Sequence, residues 1–317
     1  MIVTVTPNPS LDVTLAVERL ERGAVHRATT RQVDAGGKGI NVARALAANG
    51  VEVRAVVPVA GNAGRHLESL LTGSPRLQVR PLPVSGETRS NIAINEPDGT
   101  TTKVNEPGPR MSARDADRLV DAVIAATVGA RWAVLAGSLP PGPGDDLYGR
   151  LVDALHEVRV RVAVDTSGPA LQRVLAHRPD LVKPNVSELA EAVGRDLRTV
   201  GDLVAAATEL RDGGIDGVLA SAGPDGAVIV NGAGAWHGAP PSITPRSTVG
   251  AGDAMLAGYL AGGAHGPRAL AEALAWGAAA TALPGSRMPG PDDLDRAGVR
   301  LHEHPDLDHV LEEARSL

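Results

Sequence analysis

Residues 247–253, with the sequence STVGAGD, bring three small residues and a carboxylate together at the predicted start of a helix. The apolar run at residues 254–260 predicts that helix. Unpaired backbone N–H groups at a helix N-terminus carry partial positive charge, and glycine lets an anion approach them closely. Asp253 could take a proton from a hydroxyl beside such a cradle. Phosphoryl transfer needs stabilised anionic oxygens and a positioned nucleophile, so this segment is the strongest candidate for a reaction centre.

A second glycine-rich segment, residues 36–41 with the sequence GGKGIN, precedes a predicted helix over residues 40–49. It is not a Walker A loop, because no glycine lies four residues before a Gly-Lys-Ser/Thr sequence. Its flexible backbone, the ammonium group of Lys38 and the amide of Asn41 suit a hydroxyl-rich or phosphorylated ligand. The alternative is an ordinary glycine turn at the start of a helix.

A third polar segment, residues 183–188 with the sequence KPNVSE, leads from a predicted strand into a predicted helix. Asn185 and Glu188 are three residues apart and therefore share one side of that helix. Oxygen ligands on one face suit a hydrated Mg²⁺ ion. The same spacing is also a helix capping box, and the pattern by itself favours that structural interpretation.

The composition excludes several classes of protein. The chain has 317 residues and is 43% apolar, which allows a sizeable core, but it has no Phe and only three Trp and two Tyr. The small number of aromatic residues argues against a base-stacking surface, and the net charge of −6 argues against a polyanionic partner. No nucleic-acid partner is therefore predicted. The absence of cysteine excludes disulfides, thiolate metal sites and cysteine nucleophiles. With no predicted signal peptide or membrane span, we expect a cytoplasmic protein without a membrane partner.

Lysine is rare and its positions are informative. Only Lys38, Lys103 and Lys183 are lysine among 31 basic residues. A coding bias toward arginine explains the rarity but not why two of the three lie inside the polar motifs. Because an ammonium group and a guanidinium fork bind phosphate differently, this placement supports a function for both motifs.

The remaining pattern predicts an α/β fold with a mostly parallel sheet covered on both faces. The predicted strands are 2–6, 53–59, 132–136, 160–165, 181–183, 217–220 and 227–230, and the predicted helices are 40–49, 64–71, 113–126, 147–158, 186–193, 200–212, 250–260 and 267–283. Two segments, about 12–34 and 87–104, interrupt the alternation and predict a small antiparallel sheet that projects from the body. That sheet would serve as a lid, a dimer surface, or both.

The ordered set of motifs resembles the ribokinase-like PfkB family of carbohydrate kinases over essentially the whole chain. The segments that carry the resemblance are TPNPSLD (6–12), GGKGIN (36–41), ETRSN (87–91), NEPGP (105–109), GSLPPG (137–142), KPNVSE (183–188) and STVGAGD (247–253). The first and fourth are typical of the branch that acts on sugar phosphates. The resemblance implies one three-layer α/β/α domain over residues 1–317 with a β lid, and it does not extend to residues 288–304.

The resemblance also implies the role of each matching position. Asp253 would be the general base, and Gly250, Ala251 and Gly252 would form the anion hole for the transferred phosphoryl group. The sugar phosphate would be held by Asp12, Gly37, Lys38, Asn41, Arg89, Asn91 and Ser138, with Arg27 reaching the phosphate from the lid of the same or a partner subunit. ATP would be bound by Lys183, Ser221, Gly223, Gly226 and Thr248, with small residues around 278–283 at the adenine.

Asn185 and Glu188 would then organise Mg²⁺ through water. Ser247 departs from the family pattern, in which aspartate is frequent, so one negative charge near the phosphates is missing. The reaction implied is ATP-dependent phosphorylation of a ketohexose phosphate, with fructose 1-phosphate preferred and tagatose 6-phosphate or fructose 6-phosphate as alternatives. A non-catalytic regulator that binds a sugar phosphate is the alternative of another class. A homodimer formed through the lid is expected.

Overall fold

The computed structural model describes residues 1–142, 146–302 and 305–312. Its strands are β1 (Ile2–Val5), β2 (Ser10–Ala16), β3 (Thr30–Gly36), β4 (Val53–Val59), β5 (Leu77–Pro83), β6 (Arg89–Asn95), β7 (Thr101–Asn105), β8 (Trp132–Ala136), β9 (Arg161–Asp165), β10 (Leu181–Val182), β11 (Gly217–Ser221), β12 (Ala227–Asn231), β13 (Gly234–Ala239) and β14 (Arg300–His302). Its helices are α1 (Lys38–Ala48), α2 (Gly61–Leu70), α3 (Ala113–Ala126), α4 (Leu147–Glu157), α5 (Gly168–Leu175), α6 (Val186–Val193), α7 (Val200–Asp212), α8 (Ala251–Ala261) and α9 (Gly266–Ala282). Within these described ranges, no helix combines the length and apolar character needed to cross a membrane.

Most strands belong to one large sheet with the order β14-β13-β12-β11-β10-β9-β8-β1-β4-β5. The pairs from β11 to β5 are all parallel, whereas β12, β13 and β14 add an antiparallel edge. Buried side chains form one core on each face of this sheet, with α3 and α4 on one side and α1, α8 and α9 on the other. The predicted three-layer architecture with a mostly parallel sheet is confirmed.

Strand β8 shows why the central strands are predicted from continuous apolar runs. Ala133 and Leu135 face one core, and Trp132 and Val134 face the other. Because helices cover both faces, every position of a central strand is apolar rather than every second one. The carboxyl ends of such parallel strands meet at one edge of the sheet, where the loops that follow them converge.

A second sheet has the order β3-β2-β6-β7 and corresponds to the two segments that interrupt the α/β pattern. Its outer pairs, β2 with β3 and β6 with β7, are antiparallel, and its central pair, β2 with β6, is parallel. The parallel register sets Asp12 opposite Asn91 and Ser10 opposite Arg89. Polar residues from two distant segments therefore meet on neighbouring strands.

The structure adds elements that the pattern does not predict, namely α5, β5, β13 and β14. Strand β5 contains Pro81 and Pro83, which weaken a strand prediction, but it lies at the sheet edge, where a missing N–H donor is tolerated. Strand β14 lies at the opposite edge, inside the segment that matches no family motif.

Candidate active site

The predicted base lies in the first turn of α8. Gly250 is the residue before the helix and has φ 79°, a conformation that favours glycine, and a Cβ at this position would also come within 2.5 Å of the Met288 methyl group. Asp253 is only 5% exposed, and one of its carboxylate oxygens accepts a hydrogen bond of 2.8 Å from the Asn41 amide. Asn41 comes from α1, which packs against α8. Two helices from opposite halves of the chain thus fix the carboxylate.

The surroundings of Asp253 make it a better base than an ordinary aspartate. Burial, followed by the nearby charge of Asp165, raises the pKa of Asp253 from 3.8 to about 6. The Asn41 hydrogen bond and the ammonium groups of Lys38 and Lys183 act in the opposite direction. A carboxylate with a pKa near the working pH accepts a proton more readily than one that titrates near pH 4.

Asp165 is a functional candidate that the sequence analysis missed. It ends β9 and is 1% exposed, and its two oxygens lie 2.7 Å from Lys38 Nζ and 3.1 Å from Lys183 Nζ. Burial raises the pKa of Asp165, but Lys183 and Lys38 outweigh it, so the pKa is below 3.8. The available signal was an aspartate at the carboxyl end of a buried strand, and β10, the strand that leads to the Lys183 motif, is its neighbour in the sheet.

Lys183 brings positive charge to the start of α8. Its side chain is 5% exposed, and a Cβ on Gly252 would lie 3.1 Å from its Nζ atom. The glycine therefore leaves room for the ammonium group against the helix N-terminus. Backbone dipole and lysine together make this point a favourable place for an anion.

Asn185 and Glu188 form the capping box of α6. The Asn185 side chain accepts the Glu188 N–H at 2.8 Å, and the Glu188 carboxylate accepts the Asn185 N–H at 2.9 Å. The second Glu188 oxygen lies 4.0 Å from Lys38 Nζ. No cluster of three or more metal-ligating side chains occurs among the residues that the structure describes. The second Glu188 oxygen takes no part in the capping box, and it suits a hydrated Mg²⁺ that is also held by substrate phosphates, because this ion keeps several of its waters.

The predicted sugar-binding residues of the small sheet form one hydrogen-bonded group. The Asn91 amide donates to Ser10 Oγ at 2.9 Å and to Asp12 Oδ1 at 3.0 Å, and Ser10 Oγ donates to the same Asp12 oxygen at 2.7 Å. Burial raises the pKa of Asp12. The hydrogen bonds from Ser10 and Asn91 and the charge of Arg89 lower it, but burial has the larger effect. Beside this group lies a cavity of about 240 Å³, lined by Asp12, Val13, Thr14, Asp34, Asn91, Ile92, Ala93, Lys103, Asn105, Val249, Gly285 and Ser286.

Arg89 and Ser138 lie next to this group. The Arg89 guanidinium donates to Ser138 Oγ at 3.3 Å and to the Glu106 carbonyl at 3.1 Å. The buried Asn8 amide holds the neighbouring loops by donating to the Pro107 carbonyl at 3.0 Å and to Ser138 Oγ at 3.4 Å. The arrangement presents a guanidinium and a hydroxyl side by side, as a phosphate or sugar hydroxyl requires.

A larger cavity of about 540 Å³ has the start of α8 in its wall. Of the predicted ATP-site residues, Ser221, Gly223 and Thr248 line it, as do Ala251 and Gly252 of the predicted anion hole. Its remaining lining residues are Pro224, Ala239, Pro240, Pro241, Ser242, Ile243, Pro245, Met255, Leu274, Gly277, Ala278, Thr281 and Arg300. Ala278 and Thr281 belong to the segment expected at the adenine.

Other predicted residues have different surroundings. Gly37 precedes α1 with φ 123°, and a Cβ there would come within 2.6 Å of Thr6. Gly226 follows the turn at the cavity wall, and the Gly238 carbonyl leaves no space for a side chain there, so packing explains this glycine. Arg27 is exposed on the connection between β2 and β3, with no hydrogen bond or ion pair to the described chain. Ser247 Oγ accepts the Val249 N–H at 3.2 Å and so shapes the loop before α8.

A buried carboxylate follows a glycine-rich helix N-terminus whose residues line two cavities, Val249 the smaller one and Thr248, Ala251 and Gly252 the larger one. This arrangement on a three-layer α/β fold is typical of a phosphoryl-transfer enzyme. A model of a family described as pfkB family carbohydrate kinase matches residues 8–286. The chain belongs to this family of carbohydrate kinases, and the predicted family and enzyme class are confirmed.

Individual relatives agree with this assignment. The chain is 40% identical to a 1-phosphofructokinase from Rhodobacter capsulatus over 272 residues. This alignment covers 82% of this chain and 82% of the relative. The chain is 38% identical over 312 residues to a 1-phosphofructokinase from Haloferax volcanii, covering 98% of this chain and 95% of the relative. A crystal structure of phosphofructokinase-2 from Escherichia coli with potassium is 34% identical, with a TM-score of 0.86 over 92% of this chain and 96% of that one.

Proposed function

We propose that this protein transfers the γ-phosphoryl group of ATP to fructose 1-phosphate and produces fructose 1,6-bisphosphate. One observation carries the proposal: the segment before Asp253 separates the two cavities. Val249 lines the smaller cavity, which contains the charged side chains Asp12, Asp34 and Lys103, and Thr248, Ala251 and Gly252 line the larger, mostly apolar one. A sugar phosphate in the first and a nucleotide in the second would meet at the start of α8. The relatives named 1-phosphofructokinase support the choice of substrate.

In the proposed mechanism, Asp253 accepts the proton of the sugar hydroxyl that attacks the γ-phosphorus atom. Its raised pKa suits this step, and Asn41 keeps the carboxylate oriented toward the substrate. The backbone of Gly250, Ala251 and Gly252, together with Lys183, stabilises the charge on the phosphoryl oxygens during transfer. Asp165 forms ion pairs with both Lys38 and Lys183, so that neither lysine pairs with Asp253 instead.

The sugar phosphate is bound, on this proposal, by the group that joins the small sheet to the body. Asp12 and the amide oxygen of Asn91, which has no partner among the described atoms, accept hydrogen bonds from sugar hydroxyls, and Arg89 with Ser138 binds the existing phosphate. Lys103 lines the same cavity and adds a second cation, a role that the sequence analysis did not assign. Lys38 is paired with Asp165 and lies between the sugar and metal positions.

Mg²⁺ would be held by the ATP phosphates and, through water, by Glu188 with Asn185 beside it. The bound ion would neutralise charge on the β- and γ-phosphates. This chain's own contribution is the Glu188 oxygen that lies outside the capping box, together with the capping box that orients it. Both features are compatible with indirect rather than direct coordination.

We further propose that residues 1–317 act as one catalytic domain, with the small sheet as a lid that closes over the sugar and excludes water. The lid also forms a homodimer contact, and Arg27 is the exposed cation that would reach a substrate phosphate from it. We also propose a cytoplasmic location, which the choice of ATP and a sugar phosphate as substrates supports.

A coupled ADP-release assay tests the proposal with fructose 1-phosphate, fructose 6-phosphate and tagatose 6-phosphate as separate acceptors. We expect the highest kcat/KM with fructose 1-phosphate. A clear preference for either 6-phosphate would replace the substrate assignment but keep the kinase. Binding of a sugar phosphate without ADP release from any acceptor would favour the non-catalytic regulator.

A further inference from the structure

One charged side chain stands out in the proposed nucleotide cavity. Among the described residues that line it, Arg300 alone carries a formal charge, and the others are apolar, small or hydroxyl-bearing. Arg300 lies in residues 288–304, the segment that no family motif covers. The cavity therefore includes a cation that neither the motifs nor the proposed mechanism uses.

The sheet order places Arg300 far from the reacting phosphate. Arg300 begins β14, whereas Lys183, beside the α8 N-terminus, follows β10, four strands away in the sheet. With neighbouring strands ~4.8 Å apart, the two backbone positions are separated by roughly 19 Å. A nucleotide with its γ-phosphate at Gly252 would therefore present its nucleoside end, not its triphosphate, to Arg300.

The backbone of Arg300 is held firmly while its side chain is free. Strand β14 pairs with β13 so that Arg300 is opposite Ala239, which also lines the cavity. Two residues further on, the ring of His302 stacks on His237 with the centroids 5.4 Å apart. The Arg300 side chain is exposed and has neither an ion pair nor a hydrogen bond to any described residue. The Arg300 side chain can therefore contact a ligand without first losing an interaction with a described residue.

We infer that Arg300 contacts the nucleoside end of the bound nucleotide, with its planar guanidinium group over the purine ring. This inference depends on the proposed function, since it takes the apolar cavity as the ATP site. A guanidinium group stacks on aromatic faces better than an ammonium group, which lacks a plane. The surrounding apolar residues would remove water from the contact and so strengthen it.

The test compares Arg300→Met and Arg300→Lys with the unchanged protein, using Arg114→Ala as a matched control. Arg114 is an exposed arginine without a described partner, in the first turn of α3 on the other half of the sheet. The measurements are kcat, KM for ATP, and inhibition constants of ADP and of inorganic tripolyphosphate, which has phosphates but no base. Circular dichroism verifies that each variant is folded.

For Arg300→Met we expect KM for ATP and the inhibition constant of ADP to rise by about 3- to 30-fold, with kcat changed less than twofold. Arg300→Lys should show a smaller rise in both constants than Arg300→Met. The control Arg114→Ala should change neither constant. Tripolyphosphate should inhibit all variants equally. An equal loss of tripolyphosphate affinity, or an unchanged KM for ATP, would overturn the contact with the base while leaving the kinase intact. If the unchanged protein neither binds ADP nor turns over ATP, the proposed function fails as well.

Discussion

At the scale of residues, the site contains two buried carboxylates whose pKa values are shifted in opposite directions. Asp165 lies between two ammonium groups and stays ionised, whereas burial and the charge of Asp165 raise the pKa of Asp253 to about 6. In pairs of this kind, the group with the lower pKa commonly stays ionised and positions neighbouring charges, and the group with the higher pKa exchanges protons with the substrate. The proposed role of Asp253 as base is supported by its surroundings as well as by its motif.

Asp253→Asn should lower kcat by about 100- to 10,000-fold, because the variant keeps the shape of the site but cannot accept the proton. ADP affinity should change little in the same variant. Steady-state kinetics with fructose 1-phosphate and an ADP-binding titration would measure the two effects. A kcat close to that of the unchanged protein would rule out Asp253 as the base.

The same substitution should stabilise the protein at pH 8. Because the folded-state pKa is raised above the unfolded value of 3.8, ionisation of Asp253 costs stability as the pH rises through about 6. Removing that charge should increase the free energy of unfolding at pH 8 by on the order of 1–3 kcal/mol, and by little at pH 4. Urea unfolding at both pH values measures the difference. An equal effect at pH 4 and pH 8 would contradict the electrostatic cause.

The pH dependence of kcat/KM should show an acidic limb near pH 6, with about a tenfold loss per pH unit below it. The direction follows from the sign of the pKa shift, since the base must be ionised to act and its pKa is raised. A pH series from 4.5 to 8.5, with stability verified at each point, would establish the limb. Full activity maintained down to pH 4.5 would contradict it.

Asp165→Asn should leave Lys183 buried with no carboxylate beside it, since Asp165 is the partner that the structure gives to it. Losing one member of a buried ion pair costs about 3–5 kcal/mol of unfolding free energy. KM for ATP should also rise because the lysine is no longer held against Gly252. Asp121→Asn, which changes an exposed aspartate of α3, should alter neither the urea midpoint nor KM.

At the scale of elements, local signals predict helix bounds well where a polar cap is present. Helices α3, α6 and α7 have the predicted bounds, and each begins after a capping side chain, from Ser112, Asn185 and Thr199 respectively. Helix α5 has eight residues and a Ser-Gly-Pro start, so its pattern is too short to be distinguished from a turn. Strands β13 and β14 depend on pairing with β12, which no local pattern shows.

The described C-terminal segment is attached to the wall of the proposed nucleotide cavity. His309 lies 2.8 Å from the Asp225 carboxylate, and the Glu312 N–H donates to the same side chain at 2.7 Å. Asp225 belongs to the turn whose other residues, Gly223 and Pro224, line the cavity. His237 donates from Nε2 to the Asp225 carbonyl, and its Nδ1 is buried without a partner among the described atoms.

This cluster should make stability depend on pH. Burial, and then the neighbouring His302 and His309, lower the pKa of His237 below 6.5 despite the hydrogen bond to Asp225. As the pH falls below 6.5, the unfolded chain takes up this proton first, so the free energy of unfolding falls. His237→Gln should show a smaller decrease between pH 7 and pH 5 in urea unfolding. The exposed His66→Gln should behave like the unchanged protein, and a similar effect in both variants would contradict the prediction.

At the scale of the whole molecule, the small sheet leaves apolar side chains in solvent. Val104 on the edge strand β7 is 54% exposed, and Val25 on the connection between β2 and β3 is 84% exposed. An unpaired edge strand with exposed apolar residues favours association. This observation supports the proposed dimer through the lid.

Val104→Asp should convert the proposed dimer into a monomer, because a carboxylate would be buried or repelled at the contact. Light scattering after size-exclusion chromatography would measure the mass of each form. Val158→Asp is the matched control, since Val158 is 45% exposed at the end of α4 on the body. A mass unchanged by Val104→Asp, or halved by both substitutions, would argue against the lid as the dimer surface.

The sequence by itself determined the chemistry that this protein could perform and the general fold that carries it. Turn glycines, helix caps and alternating strands and helices act over a few residues, so the loop before Asp253, the capping box of Asn185 and the α/β class could all be predicted. Only the tertiary structure decided how the charges are shared. Lys38 meets Asp165 across 127 positions and Asn41 meets Asp253 across 212. Such contacts depend on strand order and burial, which no local pattern contains.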